Sequence, residues 1–307
     1  MGRWLGGVYG NTKLATETND TVSGVYTLSD QYYMKQEGGW VTPSITINGT
    51  TYISGQSLTL STAGTVFEAT VTGSPNIRVT CVGARGSNRY YEAGFGGSVT
   101  GTYNSTPDGT YYFVVGQAGP NSGTTGGYPG GGDSKESGAP GGGFSGWWRG
   151  TNNNPLDAAN RSNYLLIGAG GGGRSNDTST KTSSYNGGGG YPTGSGGDIN
   201  SGSMTRPTGG TQSAAGVKGL NTEGSAQGAE DGSGYTGGRC GSCGDGSGSG
   251  GSGGGGYYGG GGGNSHCGQG GSTGGGGSSY YDSARIGNFS YINSTNNGGG
   301  SVTIEVL

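Results

Sequence analysis

The chain has 307 residues, of which 81 are glycine, while 27% are hydrophobic and 11% are charged. Both fractions lie far below those of an average soluble domain, which excludes a conventional hydrophobic core of full size. A net charge of −3 excludes the basic surface that nucleic-acid binding needs, and it is too small to keep a chain unfolded by charge repulsion.

Residues 1–40 have neither a glycine-rich composition nor enough apolar side chains for a core of their own. They also lack the apolar stretch of a secretory signal, so we expect the protein to reach the cell exterior by lysis. The run GVYTLSDQYYMKQEGGW at 24–40 resembles segments near the start of tailed-phage structural proteins, including fibre and neck components. That resemblance implies a virion attachment segment, with these candidate contact residues: Trp4, Tyr26, Tyr32, Tyr33 and Trp40.

Short runs that alternate apolar and polar residues follow at a spacing of about ten residues, with Gly, Pro or Asn between them. The runs occupy 43–48, 52–53, 57–60, 66–71, 77–82, 98–103 and 110–115. Asn48-Gly49 is typical of a two-residue hairpin turn. This pattern of short alternating runs separated by turn residues predicts an antiparallel sandwich or jelly roll over 41–116.

From residue 116 onward glycine dominates, but two further strand-like runs interrupt it, YLLI at 164–167 and SVTIEV at 301–306. An isolated strand does not persist in water, so both runs are expected to pair with strands before residue 116. The glycine tracts between them would then be pinned at both ends. We therefore predict one glycine-rich domain over 41–307, with strands at 41–116, 164–167 and 301–306 and a polyglycine bundle at 117–163 and 168–300.

Runs of three or four glycines recur throughout the predicted bundle, and the tract at 251–277 is the richest. A glycine chain can adopt an extended threefold helix that has no internal hydrogen bonds. Several such helices lying side by side can satisfy each other's N–H and C=O groups laterally. We predict this polyglycine II arrangement, with Tyr257 and Tyr258 at a bend.

Five motifs occur in a fixed order: VGARG at 82–86, GSVTG at 97–101, YFVVGQAG at 112–119, YLLIGAGGGG at 164–173 and GGGSVTIE at 298–305. This series resembles the glycine-rich domain of the anaplastic lymphoma kinase and leukocyte tyrosine kinase ectodomains, which is similar to domains of phage fibre proteins. The resemblance covers about 62–307 and implies an all-β, tumour-necrosis-factor-like jelly roll that carries a polyglycine II bundle. Receptor signalling does not carry over, because the chain has neither a membrane helix nor a kinase domain.

The only histidine is His266, which is adjacent to Cys267. A catalytic histidine needs a rigid surrounding shell, which a glycine-flanked loop does not supply, so His266 is expected to contact a receptor instead. A disulfide joining Cys267 to Cys240 or to Cys243 would stabilise a sparse core. The alternatives are free thiols, or a zinc site that the adjacency of His266 and Cys267 disfavours. Cys81 lies in an apolar run and is predicted to be a buried free thiol.

Aromatic side chains are the main candidates for binding, because Tyr and Trp supply large, stiff contact areas at low entropic cost. The alternative is that the rings only wedge or cap the glycine helices. The predicted receptor-binding residues are Trp147, Trp148, Tyr257, Tyr258, Tyr280, Tyr281 and His266.

Together these features predict a bacteriophage virion protein without enzymatic activity, a tail fibre or adhesin exposed on the exterior of the particle. Its glycine-rich loops would bind a host-surface glycan or outer-membrane protein, and its N-terminus would bind other virion proteins. No nucleic acid, cofactor, metal or membrane insertion is expected, and the fibre resemblance implies a homotrimer. The alternatives are a non-adhesive structural spacer or decoration protein, and a receptor-type ligand-binding domain.

Overall fold

The computed structural model describes residues 41–89, 92–150, 152–175, 187–199, 204–221, 228–243, 248–266 and 270–307. The predicted virion-attachment residues in 1–40 lie outside these ranges: Trp4, Tyr26, Tyr32, Tyr33 and Trp40. Cys267 lies outside them as well.

The described chain is nearly all β, and its strands recur along the whole length. They are β1 Ser44–Ile47, β2 Thr50–Ile53, β3 Ser57–Leu60, β4 Val66–Thr72, β5 Ile77–Val82, β6 Gly96–Tyr103, β7 Gly109–Val114, β8 Ser145–Arg149, β9 Tyr164–Gly168, β10 Ser265–His266, β11 Gly270–Gly271, β12 Tyr280–Tyr281, β13 Gly287–Asn296 and β14 Ser301–Val306. One 3-10 helix, Ala158–Asn163, precedes β9. No helix in the described ranges has the length and apolar character to cross a membrane.

Two antiparallel sheets carry the fold. One has seven strands in the order β12-β9-β8-β7-β4-β1-β2, and the other has five in the order β13-β6-β5-β14-β3. The strand runs predicted before residue 116 and at 301–306 are confirmed. The hairpin turn is confirmed too, because Asn48 and Gly49 both have positive φ, 51° and 77°, as a two-residue turn between twisted strands requires.

The hydrophobic core lies between the inner faces of the two sheets. Alternate residues of β5 and β14 point into it, since side chains along a strand alternate between its faces. They meet buried side chains from the seven-stranded sheet, and the principal members are Ile45, Ala69, Val71, Ile77, Val79, Cys81, Phe113, Trp147, Val302, Ile304 and Val306. Each fully buried large side chain contributes about 1.5–3 kcal/mol, so a small core suffices to join the sheets.

The partners of the two late strands differ from one another. β14 pairs with β5 and β3. This pairing was expected, because a strand at the end of the chain needs partners among the strands before residue 116. β9 pairs instead with β8 and β12, so the prediction that it joins strands before residue 116 is wrong. The reason is that Ser145–Arg149 and Tyr280–Tyr281 are themselves strands, and they occupy both edges of β9. These strands and β13 lie within ranges that the sequence assigned to the polyglycine bundle.

We call residues 251–257 the central glycine tract, and their N–H groups point to three neighbouring segments in strict rotation. From residue 251 to residue 257 the acceptors are the carbonyl oxygens of Ser272, Ala139, Gly238, Gly275, Gly142, Tyr235 and Ser278, at 2.8–3.1 Å. Every third bond therefore reaches the same segment: 272–278, 139–142 or 235–238. A backbone that repeats its direction every three residues has the periodicity of an extended threefold helix.

The carbonyl groups of the same tract follow the same rotation. From residue 251 to residue 255 their donors are the N–H groups of Gly263, Gly173, Gly132, Gly260 and Gly170, at 2.7–2.9 Å. These donors belong to the segments 260–263 and 170–173 and to residue 132. The tract is thus surrounded by six neighbours, and its backbone polar groups are satisfied without any bond inside the tract.

Close approach of backbones explains why glycine fills these positions. A Cβ atom on Gly253 or Gly254 would come well within 3.0 Å of a neighbouring carbonyl group, at Gly260 and Gly170 respectively. A Cβ atom on Gly141 or Gly171 would likewise come well within 3.0 Å of a carbonyl group, at Gly253 and Gly94 respectively. Any side chain would therefore force the segments apart and break their lateral hydrogen bonds.

The glycine tracts are bonded directly to the sandwich. Gly171 donates to the carbonyl of Ala84 just beyond β5, and Gly94, just before β6, donates to the carbonyl of Gly172, both at 2.9 Å. Gly97 in β6 donates to the carbonyl of Ala169 at 2.9 Å. The sheet ends and the glycine segments therefore form one hydrogen-bonded network.

Replacement of Gly254 by alanine tests this packing. We expect Gly254→Ala to lower the free energy of unfolding by about 1–3 kcal/mol or more, because its methyl group would overlap the backbone at Gly170. Gly299→Ala is the matched control, since nothing lies within 4 Å of a Cβ there and the residue is exposed. Chemical denaturation measures both; equal stability of the two variants would contradict the tight packing of the tract.

Candidate functional site

Trp147 and Trp148 are fully buried, so the prediction that they contact a receptor is wrong. They lie on β8, which has β7 on one side and β9 on the other within the seven-stranded sheet. Adjacent strand residues point to opposite faces, and here both faces are covered. Trp147 stacks on Phe113 in the core between the sheets, with ring centroids 5.9 Å apart. Trp148 stacks on Tyr112 at 5.4 Å on the outer face.

The outer face of the seven-stranded sheet carries a second buried cluster beneath the glycine segments. Its members are Tyr112, Val114, Phe144, Trp148, Tyr164, Ile167 and Tyr235. Tyr235 comes from the glycine-rich region, where its carbonyl accepts the N–H of Gly256. Aromatic side chains thus join the sheet to the glycine segments. For these buried rings this agrees with the alternative interpretation, in which aromatic side chains wedge or cap the glycine segments and do not bind a receptor.

Three tyrosine rings at the rim of this outer cluster face a guanidinium, and a fourth ring stacks on one of the three. We call these side chains the arginine cage: Arg161, Tyr235, Tyr257, Tyr258 and Tyr280. The Cζ atom of Arg161 lies 4.2 Å from the ring centroid of Tyr258, 4.6 Å from that of Tyr235 and 4.9 Å from that of Tyr257. Such distances give cation–π attraction of about 0.5–2 kcal/mol per ring.

Local structure explains how these residues meet. Arg161 lies in the 3-10 helix Ala158–Asn163, which Asp157 caps by accepting the N–H of Ala159 at 2.9 Å. Tyr257 and Tyr258 lie at the bend that ends the central glycine tract, where the sequence predicted them. Tyr280 extends from β12 and stacks on Tyr257, with ring centroids 3.9 Å apart.

Burial raises the pKa of two cage tyrosines, Tyr235 and Tyr280. Desolvation raises the pKa of Tyr235, although the neighbouring Arg161 charge opposes the rise. The pKa of Tyr280 is raised to about 12, first by burial and then by its proximity to Tyr257. At neutral pH these two phenols therefore remain hydroxyls that can donate or accept a hydrogen bond.

A separate group of rings lies where the edge strands of the two sheets come together, and we call it the aromatic patch: Tyr191, Tyr281, Phe289 and Tyr291. Tyr281 of β12 stacks on Phe289 of β13, with centroids 3.7 Å apart. Tyr191 contacts Phe289 at 4.9 Å and Tyr291 at 5.1 Å. Because Tyr280 and Tyr281 point to opposite sides of β12, one enters the arginine cage and the other enters the patch.

The aromatic patch is held in place by backbone contacts and reaches solvent. The N–H of Tyr191 donates to the Asn293 side chain at 2.8 Å, and the Asn293 amide donates back to the Tyr191 carbonyl at 3.2 Å. Tyr291 is 49% exposed, and Ile292, which points to the opposite face of β13, is 61% exposed. Large apolar side chains exposed on an edge strand mark an interaction surface.

His266 and the cysteines lie apart from both aromatic groups. His266 is half-buried in the short strand β10, opposite Gly270. Cys243 forms a disulfide, whereas Cys240 is a buried free thiol, so the predicted alternative that pairs Cys240 is wrong. Cys240 instead accepts the N–H of Lys135 at its sulfur, 3.3 Å away. Cys81 is the predicted buried free thiol.

Sequence reasoning found Tyr257, Tyr258, Tyr280 and Tyr281 but missed the residues that complete their surroundings: Arg161, Tyr191, Tyr235, Phe289 and Tyr291. The alternation of Phe289 and Tyr291 was a readable signal of a strand, although it was hidden between turn-forming residues. Nothing local marks Arg161, because its partners come from distant segments. No group of three or more potential metal-ligating side chains occurs among the residues that the structure describes. No family model and no curated protein matches the chain.

The burial of Trp147 predicts a stability defect and not a binding defect. Trp147→Ala should lower the free energy of unfolding by about 3–5 kcal/mol, because it leaves a large cavity between the sheets. Tyr291→Ala on the exposed strand should cost less than about 1.5 kcal/mol, the scale of an aromatic pair. Thermal or chemical denaturation compares them, and a Trp147→Ala protein as stable as the parent would contradict the core assignment.

Proposed function

We propose that this protein is a bacteriophage virion component, a tail fibre or adhesin that binds a receptor on the surface of the host cell. The observation that carries the proposal is the exposed aromatic patch, which lies at the meeting point of two sheet edges and is braced by the glycine segments. The ordered motifs, which resemble those of glycine-rich domains similar to phage fibre domains, support the same proposal. In this proposal residues 1–40 attach the protein to the particle, and a homotrimer on the virion exterior is the expected assembly.

The proposed body of the adhesin is a tumour-necrosis-factor-like jelly roll that carries a polyglycine II bundle. The rotation of hydrogen bonds through three directions along 251–257 supports the helix type. The two antiparallel sheets support the sandwich. Such a body is stiff, because neither sheets nor laterally bonded segments bend without breaking hydrogen bonds. A stiff support favours binding, since the presented rings lose little freedom on contact with a receptor.

Within this proposal the binding residues are those of the patch: Tyr191, Tyr281, Phe289 and Tyr291. Rings of this kind suit the apolar face of a sugar or an exposed side chain of an outer-membrane protein. The rings are partly engaged with one another, so their faces are fixed before any receptor arrives. The second candidate function is a non-adhesive spacer or decoration protein of the virion. The mutual stacking of the rings favours it, since stacking also serves to join the sheet edges.

A cell-binding assay separates these functions. The variant Tyr291→Ala should weaken binding of the labelled protein to host cells by at least about tenfold, because truncation of a central aromatic side chain usually costs more than about 1.4 kcal/mol. Ile53→Ser is the control, since Ile53 is 42% exposed at the opposite edge of the seven-stranded sheet. Failure of the unmodified protein to bind any host cell would favour the spacer, and unchanged binding by Tyr291→Ala would remove the patch from the receptor site.

A further inference from the structure

The guanidinium of Arg161 faces three tyrosine rings, whereas three other described arginines are paired with an acid. Arg78, Arg206 and Arg285 each pair with a carboxylate. No carboxylate within the described ranges pairs with Arg161, whose near neighbours are the rings of the arginine cage. A cation in this half-buried, weakly screening environment attracts an anion more strongly than one in open water.

Two polar atoms in the cage have no hydrogen-bond partner among the described residues. One is the Nη1 atom of Arg161, and the other is the hydroxyl of Tyr235, both of them buried. Tyr235 as a whole is only 4% exposed. A buried donor left without a partner costs stability, so two such atoms on side chains that contact each other indicate a site that is completed by a ligand.

The cage is closed by parts of the chain that reach the surface. Arg161, Tyr257 and Tyr258 are each half-buried, and the two tyrosines occupy the bend at the end of the glycine tract. A rotation of the Tyr258 side chain exposes the guanidinium edge, and side-chain rotations of this kind are common on binding. Tyr257 is held more firmly, because it stacks on Tyr280.

We propose that Arg161 and the Tyr235 hydroxyl bind an oxyanion, a carboxylate or phosphate group carried by an acidic polysaccharide of the host surface. This inference rests on the proposed adhesin function and assigns it a ligand class. The planar guanidinium offers a fork of N–H donors that matches two oxygens of a carboxylate or phosphate. The neutral Tyr235 hydroxyl donates a further bond to the same group, while the cage rings hold the guanidinium in position.

Calorimetric titration of the full chain at low ionic strength tests this ligand class. The probes are glucuronate, glucose 6-phosphate, inorganic phosphate and uncharged glucose. We expect the two charged sugars to bind and glucose not to bind. Binding of glucose as strongly as glucuronate would overturn the assignment of an oxyanion ligand. Binding of inorganic phosphate as tightly as both charged sugars would overturn the assignment of a polysaccharide as the carrier of the oxyanion.

Two substitutions then locate the site. Tyr235→Phe removes a hydroxyl without a partner and keeps the ring, so it should leave the thermal stability unchanged. It should lower the affinity for the charged sugars by about tenfold, the effect of one charge-assisted hydrogen bond. Arg161→Lys keeps the charge but loses the forked N–H donors, and it should lower this affinity at least as much. Arg149→Gln is the control, because Arg149 also faces a tyrosine ring, at 5.8 Å from Tyr111, yet bonds the Asp108 carbonyl.

Wild-type affinity in both cage variants would overturn the proposed site, and so would a marked loss of stability in Tyr235→Phe, which would show that the hydroxyl already has a structural partner. Failure of this inference is distinguishable from failure of the adhesin proposal. If the unmodified protein binds host cells but none of the charged probes, only the oxyanion site is lost. If it binds the charged sugars but no host cell, the site stands and adhesion is contradicted.

Discussion

Lateral hydrogen bonds between glycine backbones are the interaction on which the rest of this structure depends. A chain with so few apolar residues cannot offset the entropy of ordering its glycines by burying side chains alone. In the central glycine tract, hydrogen bonds offset this entropy, because the N–H groups of residues 251–257 and the carbonyl groups of residues 251–255 have partners in six surrounding segments. This bonding requires close approach of the backbones, and only glycine permits it at positions such as Gly253 and Gly254.

The sandwich and the glycine segments stabilise each other. The sheets supply the hydrophobic core and fix the ends of the segments, while the segments cover the outer face of the seven-stranded sheet. The tryptophan pair on β8 shows this division, because Trp147 is buried in the core and Trp148 is buried beneath the covering layer. A tyrosine or arginine at the margin of the layer is therefore positioned by both parts, as Tyr257 and Arg161 are.

Much of the fold could be predicted from the sequence, since alternation and turn residues act locally. Strands β1, β3, β5 and β14 follow directly from such patterns. β8 and β13 were missed, because β8 offers only an adjacent tryptophan pair among glycines and the alternation of Phe289 and Tyr291 in β13 is hidden between asparagine and serine residues. The site was harder still. The sequence identified the tyrosine doublets, but whether an aromatic side chain is exposed depends on which segment covers it, and that is decided by distant pairings such as β8 with β9.

Amide hydrogen exchange resolved along the chain distinguishes an ordered, laterally bonded glycine region from a loose loop. We expect the amides of residues 251–263 to exchange as slowly as those of β5 and β14, because their N–H groups are hydrogen-bonded and largely buried. The exposed Gly299 serves as an internal glycine reference. Exchange of 251–263 at the rate of that reference, with the strands still protected, would contradict an ordered, laterally bonded region.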